Sequence, residues 1–278
     1  GAIEGVPAPA VFFCAAVAIV PIAKLIVEGT EVIARYTGPA LGGLLNATFG
    51  NLPELIIAVV ALRAGLVEMV RASIVGALLA NLLLGLGLAF LLGGVRHHVQ
   101  DYNPLAARAY ASMMLLAVIS MAVPSGFHRF FGADQGFEHA ALLDTSVLVY
   151  QLWTHRESFA EDDHAAGSGL HARAAAAEHG PQWSLSRAGV TLVAASLAAA
   201  WLSEVLVGAA EETGHALGMS KVFIGLILLA SVGGAAEIGS AIAMGRRDRM
   251  DLSVGIALGS CIQIALFVAP VLVLLGGV

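Results

Sequence analysis

Apolar positions in this chain gather into long runs, not into the narrow stripes of a water-facing helix. Eight runs stand out, near 8–27, 38–63, 66–93, 106–123, 137–153, 187–207, 219–245 and 251–276. Several are long enough to cross a bilayer, which takes about 20 residues as a helix. A transmembrane barrel requires alternating segments of about ten residues, and none is visible. The pattern predicts an all-α, polytopic membrane protein with about eight transmembrane helices. Connections are short and contain Gly, Pro, Arg and acids, except for one polar stretch over 155–186 that is rich in His and acid. This linker separates a first half, 1–154, from a second half, 187–278.

Composition agrees with that pattern. Of 278 residues, 58% are hydrophobic and 12% charged, and the mean hydropathy is +0.85. A soluble domain carries roughly twice that charged fraction. The net charge of −6 comes largely from loop acids, so no basic face for nucleic acid is expected. Cys14 and Cys261 read as small buried hydrophobes. Ten of the fourteen Lys and Arg fall on the connections on one side, the side of the long linker. By the positive-inside rule that side is cytoplasmic, which suits an inner or plasma membrane.

The chain repeats itself. Sliding it so that Glu54 meets Glu237 also superposes Glu28 on Glu211, Thr30 on Thr213, Gly42 on Gly225, Gly50 on Gly233, Arg63 on Arg246 and Gly76 on Gly259. No gap is needed over about sixty residues. The copies start five helices apart, and an odd number of crossings reverses direction. Inverted repeats of this kind build secondary transporters, with the substrate held at mid-membrane where the copies meet. The first copy has three helices after its glutamate helix and the second has one, so the sequence reads as a truncated chain lacking its last two helices.

Glu54 and Glu237 are the expected cation site. A charge at that depth costs about 2.5–3.5 kcal/mol or more, and persists where it meets a partner, a cavity or an ion. The helix signal breaks beside each, at Gly50-Asn51-Leu52-Pro53 and at Gly233-Gly234-Ala235-Ala236. Such breaks free backbone carbonyls. With Gly50, Asn51 and Gly233 at the breaks, and Asn81, Ser260 and Gln263 on the following helices, the donors are all oxygen. That set suits Ca²⁺, and no Cys or His stands near either glutamate to favour a softer metal. Two facing carboxylates neutralise one divalent cation, and protons compete for the same oxygens, which is the minimum physics of antiport. Asn81, Ser260 and Gln263 have a second reading, as hydrogen bonds between helices. Gly85, Gly87, Gly255 and Gly259 read as packing contacts. Glu28, Glu31, Glu211 and Glu212 sit at helix entrances on opposite sides, either as cation-attracting mouths or as solvated helix ends. His155, His164, His171 and His179 belong to the linker, as solvated residues or as pH or metal sensors. His97 and His98 are expected at the interface.

Several stretches resemble one family. The run Gly42–Ile56, GGLLNATFGNLPELI, is similar to the first signature of the Ca²⁺/H⁺ antiporters of the calcium/cation exchanger superfamily. The segments Arg96–Gln100 (RHHVQ) and Gln151–Arg156 (QLWTHR) resemble its intervening segments, and Asp251–Pro270 (DLSVGIALGSCIQIALFVAP) resembles the stretch after its second signature. The resemblance implies an inverted-repeat cation exchanger fold of about eleven helices in the complete protein. It also implies Ca²⁺ and H⁺ as substrates, no cofactor, essential acids at Glu54 and Glu237 assisted by Asn51, and a cytoplasmic acidic linker. Four positions depart from the family: Gly234 where Asn is usual, Ile238 where His is usual, and Ala77 and Ala80 where serines are usual. These departures leave open Na⁺ or K⁺ exchange and a non-transporting cation-binding relative. An intramembrane protease is disfavoured, since neither a His-Glu-x-x-His nor a Gly-x-Ser-x-Gly motif nor paired intramembrane aspartates occur.

Overall fold

The computed structural model describes residues 6–131 and 183–276, and among these every regular element is helical. In chain order they are α1 (Ala8–Phe49), α2 (Leu52–Arg63), α3 (Val67–Arg96) and α4 (Pro104–Phe131) in the first half. The second half contributes α5 (Leu185–Leu217), α6 (Lys221–Gly233) and α7 (Ala235–Gly245). It ends with α8, which runs as Met250–Gln263, a π turn at Ile264–Val268, and Ala269–Gly276. Four described stretches are long and apolar enough to cross a membrane: Ala8–Thr37, α3, α5 and Met250–Leu275. The pair α6 and α7, bent by 60° at Gly234, makes a fifth when taken as one broken span. The expected helix over 137–153, nearly all of the linker and its four histidines lie outside the described residues.

One boundary differs from the sequence expectation. The runs 8–27 and 38–63 were expected to be separate, yet α1 continues without interruption to Phe49. The second half shows what a break there needs. Helix α5 ends at Gly218, whose φ of 67° is left-handed, with the Met219 N–H closing onto the Gly214 carbonyl at 2.8 Å. The matching position in the first half is Arg35, and a side chain makes that left-handed cap costly.

The halves run in opposite directions. Gly29 of α1 lies against Ala188 and Leu192 at the start of α5. Phe12 and Ile19 share a buried cluster with Leu206 and Ala210 towards its end. Equivalent helices α1 and α5 therefore pack antiparallel along much of their length, as inverted copies must. Interruptions also repeat. The π turns at Ala80–Gly85 in α3 and Ile264–Val268 in α8 fall at matching positions of the two copies. A further π turn occupies Ile224–Leu229 of α6.

Two glycines set the distance between α3 and α6. A Cβ on Gly76 would overlap the Leu226 carbonyl, and one on Gly225 would overlap the Met69 carbonyl. Backbone thus meets backbone at two points of one crossing. Small residues in membrane helices permit this approach, which dispersion and lipid release then stabilise. Gly85 also packs, with Ile238 3.6 Å from its missing Cβ, and Gly255 and Gly259 are buried. Gly87 does not: it is exposed and has nothing within 4 Å, contrary to expectation. Cys14 likewise departs, lying exposed near Phe13 and Val17 on the outer face of α1, whereas Cys261 is buried. Both departures arise because runs that are apolar all round do not reveal which face is covered.

A strap after α3 joins the halves at the far end of α7. Gln100 Nε2 donates to the Gly245 carbonyl at 2.7 Å, His97 Nε2 lies 3.2 Å from the Arg246 carbonyl, and the Asn103 N–H donates to Asp251. Gly93 makes room for the Gln100 amide, and a Cβ on Gly245 would come within 2.7 Å of the Ala89 carbonyl. His97 is half-buried and His98 exposed. Losing one such bond costs about 1–2 kcal/mol. Gln100→Leu is therefore expected to lower the thermal midpoint of the purified protein by a few degrees, as read by a scanning fluorescence melt.

Candidate cation site

The site forms where the two helix breaks meet. Gly50 and Asn51 separate α1 from α2; Asn51 (φ −103°, ψ 23°) precedes the helix and Pro53 sits in its first turn, where a missing N–H costs nothing. Gly234 plays the same part before α7, with φ −79° and ψ 12°. Matching bonds start the two short helices in the same register: Leu55 N–H to the Asn51 carbonyl at 3.1 Å, and Ile238 N–H to the Gly234 carbonyl at 2.9 Å. Each short helix then carries its glutamate in the first turn. There the unspent N–H groups and the positive end of the helix dipole favour a carboxylate.

Both acids are buried. Glu54 is 9% exposed and Glu237 1% exposed. Their neighbourhoods join, because Gly233, four residues before Glu237, lies against Glu54, with its missing Cβ 3.0 Å from the Glu54 Cγ. On the other side of the break, Gly234 faces Asn81.

Asn51, Asn81, Ser260 and Gln263 form one chain of hydrogen bonds across α3, α8 and the start of α2. Asn51 Nδ2 donates to Gln263 Oε1 at 2.6 Å, Ser260 Oγ to Asn51 Oδ1 at 3.3 Å, and Asn81 Nδ2 to Ser260 Oγ at 3.1 Å. Asn81 lies in the π turn of α3, and Ser260 in the α-helical part of α8 about one turn before its π turn. The sequence had left their role open between ion ligand and interhelical bond. The structure gives them the interhelical bonds, while the Asn81 Oδ1 is buried with no hydrogen-bond partner.

A small crevice opens beside Glu54, between α2, α3, α6 and α8. Its lining is apolar (Ala77, Ala230, Ile264 and Val268 among others) apart from Glu54 and Ser73. Ser73 was not singled out from the sequence. The signal was available, since Ser73, Ala77 and Asn81 recur at four-residue spacing on one face of α3. Its hydroxyl donates to the Val70 carbonyl at 2.8 Å.

The four entrance acids stay apart from this centre. Glu28 pairs with Lys24 at 3.6 Å and Glu211 with Lys221 at 2.7 Å. Glu31 is half-buried and Glu212 exposed. Since α1 and α5 are antiparallel, Glu28 and Glu31 lie towards one end of the bundle and Glu211 and Glu212 towards the other. Each repeat-matched acid has a lysine beside it, which weakens any pull on a distant cation. Among the described residues no three His, Cys, Asp or Glu converge.

The family model described as sodium/calcium exchanger protein matches residues 7–133 and 187–278, that is, both halves and not the linker. The chain belongs to that exchanger family. This exchanger is 40% identical to the Ca²⁺/H⁺ antiporter of Synechocystis sp. (strain ATCC 27184 / PCC 6803 / Kazusa), over 96% of this chain and 76% of that protein. It is 38% identical to the Ca²⁺/H⁺ antiporter ChaA of Bacillus subtilis (strain 168), again over 96% of this chain and 76% of that one. Among solved structures, native YfkE superposes with a TM-score of 0.78 at 34% identity, covering 97% of this chain and 75% of YfkE. The H⁺/Ca²⁺ exchanger CAX superposes with a TM-score of 0.73 at 16% identity, covering 98% and 68%, a likeness of fold. The all-helical, inverted-repeat membrane architecture expected from the sequence is the architecture of this exchanger.

Proposed function

We propose that this exchanger moves Ca²⁺ against H⁺ by alternating access, with Glu54 and Glu237 binding the two substrates in turn. The observation that carries the reading is a buried glutamate in the first turn after a helix break in each inverted copy, with Gly233 at the second break packed against Glu54. Ca²⁺ accepts six to eight oxygens in loose geometry, and two carboxylates balance its charge in a region where an uncompensated charge is expensive. Once the cation leaves, two neighbouring carboxylates repel, and protons are the charges small enough to take its place on the same oxygens. Exchange follows because the empty, unprotonated site is the costly state to carry across the membrane.

Asn51 and Gln263 position the start of α2 against α8, and the crevice beside Glu54 is the route by which one side reaches that acid. The first half spans 1–154, the second 187–278, and the linker 155–186 between them faces the cytoplasm of a plasma or inner membrane. Support for that side comes from the ten of fourteen Lys and Arg that share it.

Proteoliposomes holding the full-length protein, loaded at acidic pH and diluted into alkaline buffer with labelled Ca²⁺, are expected to accumulate Ca²⁺ in step with proton efflux. A collapsed pH gradient should abolish accumulation. Folded protein that moves Na⁺ or K⁺ but no Ca²⁺ under the same gradient would overturn the Ca²⁺ assignment.

A further inference from the structure

We propose that the turn between α7 and α8, together with the end of α3, docks the headgroup of an anionic phospholipid through Arg96, Arg246, Arg247 and Arg249. This goes beyond ion exchange and does not depend on which ions are carried.

The repeat separates what the turn needs from what it carries. Residues 63–66 and 246–249 are mates, Arg-Ala-Gly-Leu in the first half and Arg-Arg-Asp-Arg in the second. Their backbones match. The third residue is left-handed in both, with φ 75° at Gly65 and 60° at Asp248. The Leu66 N–H donates to the Ala61 carbonyl at 3.0 Å, and the Arg249 N–H to the Met244 carbonyl at 3.0 Å. The next helix then starts alike: Val70 N–H to the Leu66 carbonyl at 3.0 Å, Ser253 N–H to the Arg249 carbonyl at 3.2 Å. One turn therefore forms with Ala and Leu where the other has Arg247 and Arg249. Those two arginines are not needed to make it.

The four arginines share one surface. Apolar spans end at Arg96 and at Gly245, and another begins at Met250, so all four stand at one edge of the apolar zone, where headgroups lie. The end of α3 is fixed beside the turn, because His97 Nε2 lies 3.2 Å from the Arg246 carbonyl and Gln100 donates to the Gly245 carbonyl. All four side chains are exposed, and none is paired with a carboxylate among the described residues. Nearby acids are turned to neutral donors instead. Gln100 Nε2 donates to Asp248 Oδ1 at 3.4 Å and the Asn103 N–H donates to Asp251, while Asp101 is exposed and pairs with none of the arginines.

Unpaired guanidinium groups gathered at a membrane edge repel one another and suit a phosphate, which they can hold by paired hydrogen bonds. The surface also has an apolar side. Leu91, Leu92 and Val95 are exposed on the last turns of α3, with Val95, next to Arg96, 79% exposed. An acyl chain uses that face, and free phosphate does not. A zwitterionic headgroup brings its own cation, which the arginines disfavour.

The test is equilibrium binding of a fluorescent short-chain phosphatidylglycerol to the full-length protein in detergent, beside the phosphatidylcholine analogue. Phosphatidylglycerol should bind at least about tenfold more tightly, since each arginine at a membrane surface contributes about fivefold. Arg247→Ala with Arg249→Leu installs the residues of the first-half turn, so the protein should fold, with its melting temperature in phosphatidylcholine nanodiscs unchanged. Its phosphatidylglycerol affinity should fall about twenty-five-fold. Arg96→Gln, on a different helix, should cost about fivefold and keeps the test open if the turn variant fails to fold. Equal binding of the two lipids by wild type, or unchanged phosphatidylglycerol affinity in the variants, overturns the site and leaves these arginines to membrane orientation alone. Inorganic phosphate that displaces the lipid at equal concentration would show a free-anion site and overturn the lipid assignment.

Discussion

Glu54→Gln and Glu237→Gln should each reduce Ca²⁺/H⁺ exchange by at least about a hundredfold, equivalent to roughly 2.7 kcal/mol. Glutamine keeps the volume of glutamate and one of its oxygens, so packing around Gly233 and the breaks should survive. What is lost is a charge. With one carboxylate, a bound Ca²⁺ leaves a net positive charge at mid-membrane, at a cost of several kcal/mol, and the site also loses an oxygen that protons must occupy on the return step. The measurement is initial Ca²⁺ uptake under an imposed pH gradient, read beside the melting temperature of each variant. Loss of uptake with unchanged melting supports direct roles for the acids. Exchange above a tenth of wild type in either variant would remove that acid from the ion-binding step.

Gly76→Leu should prevent assembly altogether. Ordinary overpacking costs about 1–3 kcal/mol because side chains can move aside. Here the obstacle is the Leu226 carbonyl, part of a helix fixed by its own hydrogen bonds. The only relief is separation of α3 from α6, which would also free Gly225 from the Met69 carbonyl and part the walls of the crevice beside Glu54. The expected outcome is little or no monodisperse protein on size-exclusion chromatography of the detergent extract, with Gly76→Ala intermediate. Gly87→Leu, on the same helix and exposed, is the control and should behave as wild type. A normal elution profile for Gly76→Leu would show that the crossing can yield.

Several of these features were legible in the sequence, each for a physical reason. Two glutamates in apolar runs announce themselves because membrane interiors tolerate few charges, and Pro53 and Gly233 beside them mark the breaks. The inverted arrangement followed from matched residues and an odd number of crossings. Which side chains join was not legible. The bond from Asn51 to Gln263 spans the two halves, and nothing in local spacing encodes a partner that distant. The continuity of α1 was also hidden, because the decisive difference is one residue, Arg35 where the second half has Gly218. Exposure failed at Gly87 and Cys14 since in a bilayer both faces of a helix can be apolar, so hydrophobicity no longer reports burial. Ser73 was overlooked because its importance comes from the crevice it lines, a property of four helices together.

The matched π turns also have a mechanical consequence. A π turn closes its hydrogen bond one residue later than an α turn, so the helix is locally wider and its ladder is interrupted. One stands at Ala80–Gly85 in α3 and one at Ile264–Val268 in α8, at matching positions of the two copies. Helices bend sharply at such interruptions. Each copy thus has a joint in the helix that follows its glutamate half-helix, while the helix on either side of the joint stays stiff.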